Sequence, residues 1–478
     1  MSTDSPFVAS SVAIGLDFGT SGLKAVAVAA DGRVIASASA PYATARPEPD
    51  AAEQDPHDWL IAADAALAEL ARTAHASNWG AIGLSAMLPT LVATDPTGTP
   101  LHPAIVWEDR RADPEADAYR AAFGADFLRA RTGQHVDGRY LLPMFARLTR
   151  IGIRANWMLG AKDWLIQQFT GTALTDPSTA AGSGAYILAT GEWDQELLGY
   201  AGAPGVPRVV SPKHSEPLLA EIAERWGCPP GTPVVVGAVD SVLGAIGMGV
   251  RDAGTIAVVA GTSTVFLAIV DSPATDGPYL VTPTAEGGFA CEADLVATGS
   301  ALAWLGGVLG VGGAAEVVEL AALASLENGP IVLPYVGPGE QGVLWDPSLL
   351  GTIDGLTLRT TTAEIALGFV AGIVVESKRC VAALGGGHSI VISGSGATPF
   401  FVRCLADATG IPVRSDASEH DHSALGAALL AGRSVLGFED TAEATGIVTQ
   451  PDPSAFAAWE SRFAEHERLR AAVPIRRR

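Results

Sequence analysis

Cysteine is scarce in this chain: four in 478 residues. Cys228, Cys291, Cys380 and Cys404 form no CxxC pair and stand among apolar or loop residues. That pattern fits neither a zinc site nor a disulfide framework, and reduced, buried thiols in a cytoplasmic protein are expected. Positive charge is also short, with 30 Lys and Arg against 52 Asp and Glu and a formal net charge of −22; only four of those cations are Lys. Nucleic acid and anionic membrane are therefore excluded as partners, although a nest of backbone N–H groups can still hold phosphate on an acidic protein. The start, MSTDSPFVASSVAIG, has no basic segment, so no signal peptide is expected. One long uncharged run exists, residues 295–315, but it holds six glycines and lacks basic flanks. It is read as a buried strand, a turn and the start of a core helix rather than a membrane span. Three nucleotide or nucleophile signatures are missing too: GxxxxGK[ST], a GxGxxG opening a helix after the first strand, and GxSxG.

What is present is apolar residue, 48% of the chain, enough for two large cores. Glycine-bounded apolar runs alternate with helical patterns, which predicts an α/β protein. Strands are expected near 12–16, 25–30 and 33–39, with Asp31-Gly32 as a hairpin turn. A helix should follow, with Asp55 as N-cap, Pro56 at its first position, and Leu60, Leu67, Leu70, Ala71 and Ala74 on one apolar face. Further strands are read at 79–86 and across 90–107. A second helix should begin at Thr361, where Glu364 completes capping-box spacing, and stop at Gly385-Gly386-Gly387. A strand at 389–393 then enters a glycine turn that opens another helix. The segment after about residue 440, ending in three arginines, is read as a solvated tail.

The opening motif, IGLDFGTSGLK (14–24), repeats in outline at 253–270, AGTIAVVAGTSTVFLAIV. Each is an apolar run, Gly-Thr-Ser, and another apolar run, which suggests two related domains with facing hydroxyl-lined turns. Such turns suit phosphate oxygens, and an ordinary hairpin turn is the alternative for either one alone. Asp17 follows a buried strand, where an unpaired carboxylate is costly; a magnesium ion with its waters would account for it, as would capping of its own turn. Asp240, in GAVDS, either caps a helix or points one oxygen into a cleft. In IVWEDRR, Trp107, Asp109 and Arg111 could recognise polyol hydroxyls or form a surface ion-paired turn. His420-Asp421-His422 is read as loop.

Together these segments resemble the FGGY carbohydrate kinases, within the actin, Hsp70 and sugar kinase ATPase superfamily. The likeness spans residues 12–435 and rests on order: DFGTSGLK, then WEDRR for the family's W-x-D-x-R, KDWLIQQFTG with TDPSTAAGSG, GAVDS, AGTST, and SGSGATPFFVRCLADATGIPV. The resemblance implies two ribonuclease H-like (actin-like ATPase) domains facing each other across a catalytic cleft. Their expected bounds are 1–245 and 246–440, with a helical or solvated tail at 441–478.

The resemblance also implies roles. Asp17 would hold Mg2+; Thr20, Ser21, Lys24, Gly261, Thr262 and Ser263 would face the phosphates of ATP; and Gly394, Ser395, Gly396 and Ala397 would pass close to adenosine. Asp240 would be the catalytic base and touch substrate, with Trp107, Asp109 and Arg111 beside it. The expected partners are ATP and a small sugar or polyol, with a homodimer left open. Substrate clues come from departures. Where xylulokinases carry Gly-Gln-Met-His-Gly, this chain has Ala86-Met87-Leu88-Pro89-Thr90, and the Arg-Glu pair of glycerol kinases is missing. A ketopentose such as D-xylulose is expected, ahead of another ketose, polyol or aldonate. A nucleotide-dependent sensor and a phosphatase of the same superfamily are the rival readings.

Overall fold

The computed structural model describes residues 12–473 except 204, 276, 328, 338, 339, 341, 417, 419 and 440–445. Most of the N-terminal segment and the three terminal arginines fall outside the described residues. Strands β1 (Val12–Phe18) and β2 (Gly22–Val28) pair antiparallel, with Asp17 opposite Lys24. Gly32, at φ 80°, turns the chain into β3 (Val34–Pro41). Helix α1 (Pro56–Leu70) opens at Pro56, and the Asp55 carboxylate accepts from His57 N at 2.9 Å. Its buried face is Trp59, Ala62, Ala63, Ala66, Leu67 and Leu70; Leu60 and Ala71, expected inside, are only partly buried. The indole N–H of Trp59 donates to Gln54 Oε1 at 2.9 Å, and this anchor sets the face turned inward.

Strand β4 (Trp79–Ala86) adds to β1 in parallel. Strands β5 (Ser215–Pro217) and β6 (Pro233–Val239) complete a six-stranded sheet of order β5-β6-β4-β1-β2-β3. A β-bulge at Gly237 (φ 70°) carries β6 past Val236, and helix α2 (Asp240–Gly247) starts directly at its end. An inserted antiparallel sheet, built from 53–54, 104–106, 90–94 and 157–160, has its own core around Leu91, Ile105, Tyr119 and Phe145.

The second half repeats the plan. Strands β7 (Thr255–Ala260) and β8 (Thr264–Val270) form the hairpin, extended by β9 (Leu280–Pro283) and β10 (Phe289–Leu295). Helix α3 (Gly299–Leu309) follows, then the long core helix α4 (Thr362–Ala383). Its capping box is formed as the spacing predicts: Thr361 N donates to Glu364 Oε2 at 2.7 Å, and Glu364 N to Thr361 Oγ1 at 3.2 Å. Strand β11 (Ser389–Ser393) lies parallel to β7, as β4 does to β1, before helix α5 (Pro399–Thr409) and strand β12 (Val413–Ser415). The molecule is thus two α/β domains, each around a mixed sheet.

Helix α6 (His422–Ala431) departs from sequence order by returning to the first sheet. A Cβ on Gly15 would lie 1.8 Å from the Ala424 carbonyl oxygen, and one on Gly83 2.1 Å from that of Ala427. Only glycine permits that approach. The tail expected at 441–478 as helical or solvated is mainly helical where described, and it is packed rather than solvated. Strand β13 (Ile447–Thr449) pairs with β12, and helix α7 (Pro453–Ala472) buries Trp459, Arg462 and His466. Arg462 donates to the carbonyls of Gly329 and Pro330 at 2.8 and 2.7 Å, so a charged residue is held inside by backbone acceptors. Among the described residues no single helix is long and apolar enough to cross a membrane. The long uncharged run holds α3 and ends in the first turn of the next helix, Ala314–Ala321, which is bent 79° to it.

Candidate active site

The first glycine turn is pinned from behind. Tyr42 donates its hydroxyl to Gly19 O at 2.6 Å, and Gln54 Nε2 donates to Thr20 O at 2.7 Å. Beneath it, Asp17 is buried, and Ser85, its register partner on β4, donates to Asp17 Oδ1 at 2.6 Å. The carboxylate is therefore tied across the sheet rather than capping its own turn. Burial holds the Asp17 carboxyl well above the usual carboxylate range, and the negative charges of Asp421 and Asp240 push the same way. Lys24 pairs with Asp421 at 2.7 Å. Burial alone would pull its ammonium down, but Asp421, Asp17 and Asp240 hold it up.

Asp421 was invisible to sequence reasoning, which placed it in a loop. It is the N-cap of α6, accepting from Ala424 N at 2.9 Å, and α6 brings it to Asp17 and Lys24. The signal available was Asp-His-Ser before a small-residue helix, but nothing local says which sheet that helix covers.

Asp240 is the first residue of α2, and Val239 holds the cap position, so the N-cap alternative fails by one residue. Burial, with Asp421 and Asp294 adding like charge, lifts its carboxyl to about 7 against the hydrogen bond from Ser241 N. The strand end carrying it is braced: Val239 N donates to Ser178 Oγ at 3.1 Å, and Ser178 N donates to Asp176, which pairs with buried Lys162 at 2.9 Å. The middle motifs, KDWLIQQFTG and TDPSTAAGSG, thus position β6.

A cavity of about 270 Å³ opens between the domains beside Asp240. Thr20 and Trp107 line it from the first domain, their side chains linked by a 3.0 Å bond from the indole N–H to Thr20 Oγ1. Leu88 and Pro89, the substituted positions, also line it, and so do Ser263, Glu292 and Asp294 from the second domain. Glu292 and Asp294 escaped sequence analysis. Their signal was two acids at alternate positions of an apolar strand, FACEADL, where Cys291, Ala293 and Leu295 take the core face.

Asp109 and Arg111 do not line this cavity. Both oxygens of buried Asp109 are already used, accepting from Ala52 N and Arg111 N (each 2.9 Å) and from the guanidinium at 2.7 Å. Arg111 also binds Glu53 and Glu48, at 2.6 and 2.9 Å. The expectation that they touch substrate is corrected: they form a closed ion-pair cluster behind Trp107.

The second turn mirrors the first. Gly261 O accepts from Gly299 N and Thr262 O from Ser300 N, so the start of α3 fixes it. A Cβ on Gly261 would meet nothing nearer than 3.8 Å, and one on Gly19 nothing nearer than 3.5 Å. Internal packing leaves both cradles open. The turn at 394–397 adjoins it: Gly394 (φ 93°) lies against the end of β7, and Gly396 N donates to Ala260 O at 2.9 Å. Gly261, Gly299, Ser395 and Gly396 line a small cavity there, with Ala397 following in the same turn. A wider opening of about 360 Å³ joins Lys24, Asp240, Asp421 and Gly394. Paired glycine cradles on facing domains suit a polyphosphate, while among the described residues no group of three His, Cys, Asp or Glu side chains is placed to hold a metal ion by itself.

Two family models match the chain: the N-terminal domain of the FGGY family of carbohydrate kinases over residues 12–247, and its C-terminal domain over 256–435. The chain belongs to that family and is an ATP-dependent sugar or polyol kinase. It is 28% identical over 453 residues to a xylulose kinase of Klebsiella pneumoniae, covering 91% of this chain and 92% of that one. It is 31% identical over 374 residues to an apulose kinase of Pectobacterium atrosepticum, covering 74% and 75%. The crystal structure of xylulose kinase from Rhodospirillum rubrum superposes with a TM-score of 0.89 at 28% identity, over 96% of this chain and 98% of that one.

Proposed function

We propose that the protein is a cytoplasmic kinase phosphorylating a hydroxyl of a ketopentose such as D-xylulose, with Asp240 as general base. The observation that carries this reading is the Asp240 carboxyl, raised to about 7 on the wall of a 270 Å³ interdomain cavity. A base near neutral pKa takes the acceptor's proton as the oxygen attacks, and works best when poised at the operating pH. Trp107 and Thr20 form one wall, while the Leu88-Pro89 segment supplies an apolar edge. Mg-ATP supplies the transferred phosphoryl group and charge neutralisation. Asp17, aided by Asp421, is the residue assigned to the cation. Thr20, Ser21, Thr262 and Ser263 face the phosphates from the two turns, Lys24 adds a positive charge, and residues 394–397 contact adenosine. The chain's work is mostly positioning, since in-line transfer needs the reacting atoms about 3–3.5 Å apart.

The test is a coupled ADP-release assay over pentuloses, hexuloses, polyols and aldonates. ADP release that requires an acceptor, and a loss of about 100-fold or more in Asp240→Asn with nucleotide binding kept, are the expected results. ATP binding without ADP release for every acceptor would favour the sensor reading.

A further inference from the structure

The acceptor cavity carries three carboxylates, Asp240, Glu292 and Asp294, against one guanidinium, Arg139. That guanidinium is already occupied. Its Nε and Nη2 donate to the Asp137 carboxylate at 2.9 and 2.7 Å, and Asp294 faces it as well. Glu292 Oε2 and Asp294 Oδ1, by contrast, are closed off from solvent and have no hydrogen-bond partner. Burial, joined at Glu292 by the neighbouring acids Asp294 and Asp240, holds both carboxyls above the usual carboxylate range. The cluster therefore takes further negative charge badly, while each unpartnered oxygen can accept from a hydroxyl of whatever fills the cavity.

We infer that Glu292 and Asp294 select an uncharged ketose or polyol and reject aldonates, making them specificity residues of the acceptor site. A hydroxyl group gives each oxygen a proton to accept. A substrate carboxylate offers none, adds negative charge to that cluster, and finds the lining guanidinium of Arg139 already paired. Discrimination is strong where a mismatch leaves buried polar groups unpaired. The Leu88-Pro89 edge adds no compensating cation.

This inference rests on the cavity being the acceptor site. The experiment compares kcat/KM for D-xylulose, D-ribulose, L-ribulose and xylitol with that for xylonate and gluconate. The best neutral acceptor should exceed either aldonate by about 100-fold or more. Asp294→Asn and Glu292→Gln should each raise the aldonate-to-neutral ratio by about tenfold, whereas a purely structural role would lower both substrates together. The wild-type comparison needs no variant to fold. An aldonate used as well as the neutral acceptors, or ratios unmoved in both variants, would overturn the selection. ADP release with neither class would remove the acceptor site, and the inference with it.

Discussion

The two Gly-Thr-Ser turns share a backbone plan and differ in charge. Each ends the first strand of a hairpin, each has its carbonyls fixed from behind, and each leaves its glycine cradle open. Two residues before the first turn stands Asp17, buried and bound to Ser85. The equivalent position of the second domain is Val259, 40% exposed toward the same opening. The duplicated fold supplies two open glycine cradles, while the acid two residues before the turn is kept on one side. On the proposed reading, one polyphosphate held between two domains would need grip from both and a cation site from only one.

The sharpest way to break this asymmetry is to change both positions. Asp17→Asn should lower kcat/KM by about 100- to 1,000-fold, the scale for losing one electrostatic partner of a transition state. Val259→Ala should stay within about twofold, as surface changes usually do. Steady-state kinetics at varied Mg2+ would decide, and equal losses would end the distinction.

A pH profile is the next test, since it concerns Asp240, the carboxyl that the first domain brings to the cavity. Asp240 must be deprotonated to act, so kcat/KM should fall about tenfold per pH unit below pH 7 and level off above it. The stability term has the opposite sense. A folded-state pKa raised above the unfolded one favours folding at low pH, and that contribution is lost as pH rises toward 7. Melting curves of wild type and Asp240→Asn should therefore lie closest near pH 4, part as pH rises toward 7, and stay apart above it with the variant higher. A flat kinetic profile from pH 5 to 8 would remove Asp240 as the base.

The smallest effect on chemistry should come from Asp109, whose charge serves the fold. Asp109→Ala should destabilise by about 1–3 kcal/mol, the scale for leaving the buried Ala52 N–H without its acceptor while Arg111 keeps Glu53 and Glu48, with the apparent sugar affinity of the folded enzyme unchanged. Calorimetry beside kinetics would check this. An unaltered melting temperature with a raised sugar KM would restore the substrate-binding expectation.

The α/β fold and both turns were legible because their signals are local. Asp55 and Thr361 cap helices through neighbours two or three residues away, and Gly-Thr-Ser reads as a turn wherever it stands. The acids around the cleft were legible in proportion to their locality. Asp17 and Asp240 each close an apolar strand and were visible. Asp421 needed the knowledge that α6 crosses back to the first sheet, and Glu292 and Asp294 needed to be seen across the cleft from Asp240. Asp109 misled for the converse reason. Its neighbours in sequence suggested an open donor–acceptor pair, while its neighbours in space, Ala52 and Arg111, had consumed both oxygens.

Because α6 covers Gly15 and Gly83, the first domain is finished only once residues 422–431 have left the ribosome. Until then the sheet face carrying Ala13, Val26 and Ala238 lacks its covering helix. Roughly 180 residues separate Gly247 from Ala431, and synthesis across them takes roughly 10–40 s at usual elongation speeds. The nascent N-terminal half must pass that interval with an open apolar face, and a fragment cut at the end of α2 would keep that exposure permanently.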